Sequence, residues 1–460
     1  MKRPRRRCYI GRDRFDVVIP AVLRPANVSC ISVSTAAARS FLALAFRVPL
    51  VMPETKYWRR NLYVCLFGSF TNSTAMTLLL PFLPLYVMEL GVTNQAAVVQ
   101  WSGIAYGITF LGAGLLAPVW GKFADLYGRK LILVRASLGM AVCMSMIGTA
   151  QSIWDLVFWR LMAGVLGGYV SGAVVLVATQ TPRERSAWAL GTLSTGTMAG
   201  TLLGPLIGGV LPGLIGVRGT FFLAGGAIFL ALIATCLFIR EDRPRREPRI
   251  PSGSGSSWSR IPDRRPVAAM LLTAMMLVLA NMSIEPIITV YVAALTQGGN
   301  VVMLSGLVMA AAALGSILAA PVVGRIADRI GSWKVVVQCL VVTGLLLVPQ
   351  AFVTSVGQLL VLRFLMGISL AGLLPAINAT IRHSVPDGVT GRILGYGTSA
   401  QYVGQVVGPA VGGFVAGHLG MPAVFLATSV LIFGGATYNW VVRRQCGSGP
   451  PPCIGDRDSR

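Results

Sequence analysis

Long apolar runs dominate the chain, and polar residues fall between them in short clusters. A run of about 20 apolar residues is the length at which a helix crosses a bilayer. Twelve such runs are read, over 61–85, 96–118, 131–150, 155–179, 188–211, 219–239, 267–291, 301–322, 335–353, 358–380, 393–416 and 421–442. The pattern predicts an all-α integral membrane protein of twelve transmembrane helices. The fifth run is unusual. GTMAGTLLGPLIGG, residues 196–209, places Gly196, Gly200, Gly204 and Gly208 four apart, with Pro205 beside one of them and Gly209 beside another. Glycine costs about 1 kcal/mol in a helix interior and proline about 3. Residues four apart share one face, and such a stripe of small residues lets a neighbouring helix approach closely in a membrane. The stripe is expected to pack against the opposite half of the molecule and seal the closed state. A static contact with no gating role is the alternative.

That there is an opposite half follows from an internal repeat. GKFADLYGRK at 121–130 recurs as GRIADRIGSWK at 324–334, so Asp125 maps to Asp328 with a shift of 203. Arg160 maps to Arg363 with the same shift, and the glycine stripe maps to Ala400, Gly404, Gly408 and Gly412 with a shift of 204. Two pseudo-symmetric six-helix halves result, over 52–239 and 267–442. They are joined by 240–266, rich in Pro, Gly, Ser and Arg, which reads as a flexible linker. Two like halves about a central axis are the architecture of many secondary transporters, with substrate near the midplane.

Composition supports the membrane reading: 54% of residues are hydrophobic, 12% are charged and the mean hydropathy is +0.71, too little charge to cover a soluble surface. The net charge of +23 raises the question of nucleic acid, but its distribution gives another answer. Lys and Arg crowd alternate loops (Lys122, Arg129 and Lys130; Arg183 and Arg185; 240–265; Arg325, Arg329 and Lys334; Arg382 and Arg392; Arg443 and Arg444), while the intervening loops hold only Arg218. This is the positive-inside pattern, which places both termini in the cytoplasm and makes the bilayer, not nucleic acid, the partner. The tail 443–460 is then cytoplasmic. Residues 1–51 hold ten basic and two acidic residues and read as a start-site artefact or a disordered leader, with translation expected from Met52. The eight cysteines and two histidines show no metal-ligand spacing. Neither a metal nor a cofactor is expected.

Candidate chemistry is sparse. The 121–130 loop holds one acid, Asp125, among Lys122, Arg129 and Lys130. An acid set against a helix end or an arginine can hold one conformation, and Gly121 and Gly128 permit a tight turn. Gly324 and Asp328 are their second-half counterparts. Acids inside spans are the default candidates for carrying a proton, and three are considered. Glu285 lies well inside the seventh run with Asn281 one turn earlier on the same face. Asp155 and Glu89 lie at the outer ends of the fourth and first runs. Trp101, Tyr106, Phe110, Tyr169, Met282 and Tyr291 are candidate cavity residues, with ordinary helix packing as the alternative. Arg363 is read as a snorkelling arginine. No nucleophile, metal cluster or acid/base pair marks a membrane enzyme, and no GxxxxGK[ST] loop supplies nucleotide energy. A proton crossing about 100 mV carries roughly 2.3 kcal/mol, equivalent to a concentration ratio of about 50.

GxxADxxGRK with its degenerate copy resembles the signature loop of the major facilitator superfamily. LGPLIGG (203–209) and Arg160 in WRLMAGVLGG resemble motifs of its drug:proton antiporter branch. WRRNL (58–62), LPFLPLYV (80–87), LGVT (90–93), WSGIAYGITFL (101–111), GRKLILVRASLGM (128–140) and WALGTLSTG (188–196) extend the resemblance to multidrug efflux transporters, from about Tyr57 to Arg443. The resemblance implies the major facilitator fold in a bacterial inner membrane, as a monomer exchanging protons for amphipathic drugs or metabolites by alternating access. It also implies that Asp125 locks the second helix against the eleventh in the outward-facing state, that Arg129 supports the lock, and that Arg160 lies in the cavity and influences proton movement. Gly204 and Pro205 would shape the fifth-helix interface. The sequence departs from the family in two places. Ser332–Trp333 replaces the arginine of the loop in the second copy. The first run offers only Asn72, Ser73, Thr74 and Thr77 where many such antiporters carry an acid, so Glu285 is expected to bear coupling alone. An importer of a sugar or organic acid, by proton symport or uniport, and a non-transporting sensor on the same scaffold are the alternative functions.

Overall fold

The computed structural model describes residues 57–241, 263–296, 299–386 and 389–447. The leader 1–51, most of the 240–266 linker and the end of the tail lie outside the described residues. Among those described, every regular element is helical.

The first crossing is broken. Helix α1 (Trp58–Leu78) gives way at Leu79–Phe82 to α2 (Leu83–Glu89), bent by 57°. Pro81 and Pro84 lie at this break and lack the backbone N–H that a continuous helix needs. Helix α3 (Gln95–Tyr127) starts where the Asn94 side chain accepts from Ala96 N and Ala97 N. It stops at Gly128, whose φ of 97° turns the chain directly into α4 (Arg129–Gly148). The fourth crossing is α5 (Ile153–Leu166) and α6 (Tyr169–Gln180), interrupted at Gly167–Gly168. Helix α7 (Ser186–Phe238) runs 53 residues, about 80 Å at 1.5 Å per residue, far longer than a bilayer core of about 30 Å. Gly216, at φ 76° and ψ 163°, divides it into two crossings.

The second half repeats this plan. Helix α8 (Arg265–Ile284) passes through a 3₁₀ turn at Glu285–Ile287 into α9 (Ile288–Leu295). Then come α10 (Val301–Ile330), α11 (Ser332–Gln350), α12 (Val356–Leu370), α13 (Leu373–Ser384), α14 (Thr390–Leu419) and α15 (Met421–Gly447). Nine described helical segments are long and apolar enough to cross a membrane alone, and the bent α1–α2 pair makes ten. The division of α7 at Gly216 adds one crossing, and the 30-residue α14, glycine- and glutamine-rich and so less apolar, adds the last. The twelve expected crossings are therefore accounted for. The left-handed glycines mark the repeat: Gly128 is matched by Gly331, and Gly216 by Gly420.

Packing follows the same symmetry. Within the first half α7 lies most extensively along α1, and within the second α14 lies along α8. Here the glycine stripe corrects its expected role. A Cβ at Gly196, Gly200, Gly204 or Gly208 would strike α1, at Leu66, Phe70, Thr77 and Leu78 in turn. The stripe therefore cements its own half. In the second half, Gly404, Gly408 and Gly412 face Met275, Leu279 and Ser283 of α8 in the same way. The halves meet elsewhere, along α3–α14 and α7–α10. The Pro205 carbonyl stands where a Cβ at Gly306 would be, and a Cβ at Gly209 would come within 3.1 Å of Met303 Cα. The symmetric seam has the Pro409 carbonyl against Gly103, and a Cβ at Gly413 would come within 3.1 Å of Gln100 Cα. At each seam a carbonyl of one helix meets a residue that must be glycine, because a Cβ at Gly306 or Gly103 would collide with it.

Candidate functional site

A cavity of about 1120 Å³ lies between the halves. Its wall is contributed by α1 (Asn72, Ser73, Thr77), α3 (Tyr106, Phe110), α8 (Asn281, Met282), the 3₁₀ turn (Glu285), α12 (Arg363) and α14 (Gln401, Tyr402, Gln405). The lining continues to Gly121, Ala124 and Arg129, so the cavity reaches the end of the molecule that carries the 121–130 loop. At the opposite end it is shut by the two Pro–Gly seams and by Thr289 Oγ1, which donates to Leu80 O at 3.4 Å.

Glu285 stands at the centre of the wall. Pro286 breaks the helix immediately after it, and the 3₁₀ turn carries the carboxylate toward the first half. Asn281 Nδ2 donates to Glu285 Oε1 at 2.9 Å, as the one-turn spacing predicts, and Tyr106 Oη reaches Oε2 at 3.5 Å from the other half. The Tyr106 ring in turn covers the guanidinium of Arg160, 5.6 Å from its centroid. Arg160 is fully buried and donates from Nε to Ala105 O at 3.1 Å. It therefore lies behind the cavity wall, not in the cavity as the resemblance implied, because Tyr106 occupies the space in front of it.

The other candidates divide. Tyr106, Phe110, Tyr169 and Met282 line the cavity. Trp101 does not: it packs edge-on against Trp154, ring centroids 5.1 Å apart. Tyr291 does not either, because its hydroxyl donates to Gln350 O and its ring packs on Phe425. Asp155 is a helix cap. Its carboxylate accepts from Gln151 N and Ser152 N, and Ser152 Oγ accepts from Asp155 N, a complete capping box at the start of α5. Oδ2 takes both backbone donors, and Asp155 does not line the cavity. Glu89 is exposed at the end of α2. Arg363 is 2% exposed and lines the cavity, so it does not snorkel.

The side chain of Asp125 lies outside the described residues, and Asp328 is exposed. The base of the 121–130 loop is tied by a residue that sequence reading passed over. Glu241, just past α7, accepts from Arg129 N and Lys130 N, each at 2.8 Å, and so caps α4. A carboxylate there complements the helix dipole. Arg129 Nη1 donates to Val175 O at 2.7 Å and also to Thr179 Oγ1, and Lys130 Nζ donates to Cys236 O. Two more residues were passed over, Arg135 and Trp120. They bond Gly167 O and Val165 O, the carbonyls freed where α5 breaks from α6, with the guanidinium 3.5 Å over the indole. Among the described residues no cluster of three or more His, Cys, Asp or Glu could hold a metal.

Comparison with known proteins agrees with this architecture. A sequence profile described as Major Facilitator Superfamily matches residues 65–305 and 270–452. The chain is 39% identical over 390 residues to the multidrug resistance protein MdtG of Proteus mirabilis (strain HI4320), covering 85% of this chain and 97% of that one. It is 41% identical to the MdtG protein of Dickeya zeae (strain Ech586), covering 84% and 95%. Among solved structures, it superposes on a bacterial homologue of the human lysosomal transporter Spinster, in an inward-facing and unoccupied conformation. The TM-score is 0.68 at 15% identity, over 85% of this chain and 98% of that chain. The nucleoside transporter NupG gives a TM-score of 0.70 at 11% identity, over 84% and 99%.

Proposed function

This chain belongs to the major facilitator superfamily, and on that premise we propose that it exports amphipathic drugs or metabolites in exchange for protons. The observation that carries the reading is Glu285. It is a carboxylate in the wall of the inter-half cavity, bonded within its own half to Asn281 and across to the other half by Tyr106. The names of the relatives that cover most of the chain support a drug as cargo. The cavity supports an amphipathic one, since its wall mixes Phe110 and Met282 with Asn72, Gln401 and Gln405.

In this mechanism the halves rock about the cavity. The side reached by the lining is the cytoplasmic side, because it carries the basic loop, and both termini lie there. Substrate enters from the cytoplasm or the inner leaflet of a bacterial inner membrane and settles against Tyr106 and Glu285. Its arrival competes with the bonds that Glu285 makes and favours release of the proton. The Pro–Gly seams then open on the outside while the 121–130 loop closes the inside. Asp125, with Gly121, Gly128, Arg129 and Lys130, holds that outward-facing state. Gly324 and Asp328 act at the pseudo-symmetric position, without the arginine. A fresh proton on Glu285 resets the cycle. The protein works as a monomer, since the cavity is complete within one chain.

The test is dye flux in proteoliposomes under an imposed pH gradient, with the parent chain and Glu285→Gln. The glutamine keeps one acceptor oxygen and the shape of the side chain but exchanges no proton. Gradient-driven flux that vanishes in the variant, with dye binding retained, is the expected result. Unchanged flux would overturn Glu285 as the coupling site.

A further inference from the structure

Arg160 and Arg363 are repeat mates, and both are buried. They bracket the one carboxylate that lines the cavity among the described residues. Arg160 stands on the first-half side, with Tyr106 between it and Glu285. Arg363 comes from α12 of the second half and lines the same cavity wall as Glu285. Arginine does not deprotonate in proteins, so a buried guanidinium needs a counter-charge. Yet Nε and Nη2 of Arg363 have no hydrogen-bond partner, while the two oxygens of Glu285 are occupied by Asn281 and Tyr106. Packing alone gives Arg363 little reason to be charged: its nearest ring, Phe425, lies 5.9 Å away.

We infer that Arg363 is a positioning residue for proton coupling, the fixed counter-charge in the second half that sets the pH at which Glu285 exchanges its proton. The inference rests on Glu285 being the coupling carboxylate. A carboxylate with an opposite charge close by favours its ionised form, so Arg363 makes proton release by Glu285 easier. Other groups facing Glu285 are few. Tyr106 comes from α3 with Arg160 behind it, and Tyr402 comes from α14 along the cavity wall. In α2, Tyr86 is turned away to Ile147 O and Glu89 is exposed.

The experiment is the pH profile of gradient-driven dye flux for Arg363→Gln and Arg363→Lys, each alone and with Glu285→Gln. Removing the charge in Arg363→Gln is expected to move the half-maximal pH toward alkaline values by about one unit. Arg363→Lys, which keeps the charge, is expected to stay near the parent profile. With Glu285→Gln the gradient-driven flux is already lost, and neither Arg363 substitution is expected to restore it at any pH. If Arg363→Gln is not recovered folded, Arg363→Met keeps the apolar stem against Phe425 and repeats the test. A parent-like profile with uniformly lower flux would overturn the inference, because that is what lost packing alone produces. Coupling retained in Glu285→Gln alone would instead overturn the reading on which the inference rests.

Discussion

Glu285 lies inside an apolar run and Asp155 at the edge of one, and their surroundings give them different work. Asp155 satisfies the free N–H groups at the start of α5. Glu285 has no helix terminus to cap, since its oxygens take donors from side chains in both halves. Asp155→Ala is expected to lower the thermal midpoint in detergent by a few degrees through loss of the cap, with gradient-driven flux per folded molecule unchanged. Melting curves and flux on the same preparation check this. Asn281→Ala is expected to act in the opposite way, preserving the thermal midpoint within a few degrees and changing the pH profile of flux, because it removes a donor to Glu285 and no helix bond. Glu285 and Asn281 were legible from sequence because their i, i+4 spacing sets one over the other on a helix. Arg363 was not. Whether a cation in an apolar run reaches headgroups or turns inward depends on what fills the space beside it, and Phe425 of α15 packs there from a distant part of the chain.

At the scale of an element, the glycine stripe shows how far a pattern can be read. The periodicity fixed a flat face on α7, but a face has no address. The stripe packs on α1, and the one-residue-offset positions, Pro205 and Gly209, meet α10. Two substitutions on the same helix separate these contacts from helix propensity. A Cβ at Gly208 would collide with Leu78 O, whereas nothing lies within 4 Å of a Cβ at Gly213. Gly208→Ala is expected to destabilise the protein by about 1–3 kcal/mol, the usual cost of overpacking. Gly213→Ala is expected to be neutral or stabilising by up to about 1 kcal/mol. Thermal unfolding of the two variants in one detergent checks both directions.

The whole molecule is two copies of one plan closed at one end and open at the other. Closure rests on backbone contacts at Gly103, Gly306, Gly209 and Gly413, where a helix can approach without side chains to mesh. Small, apolar and shallow seams of this kind suit an interface that parts during a cycle. A cysteine pair at Leu80 and Thr289, which already meet across the closed end, in a background with the free cysteines replaced, is expected to form a disulfide that abolishes dye flux until reduced. Flux that persists in fully cross-linked protein would show that this end does not open. Within each half, the glycine stripes on α7 and α14 draw their helices against α1 and α8, leaving the cavity between the halves.

The sequence by itself determined the all-helical membrane class, the superfamily and the one-turn pairing of Asn281 with Glu285. Each of these is a property of composition, spacing or repetition along one stretch of chain, which the thickness of a bilayer and the pitch of a helix turn directly into structure. Tertiary structure alone decided which face met which helix, that Arg160 stood behind Tyr106, that Arg363 turned inward and that Glu241 closed the base of the 121–130 loop. Those are relations between residues far apart in the chain, such as Tyr106 and Glu285 at a separation of 179. They arise because, in a membrane, the hydrophobic pattern drives a helix into the bilayer and leaves its partners to be chosen by close packing and polar contacts.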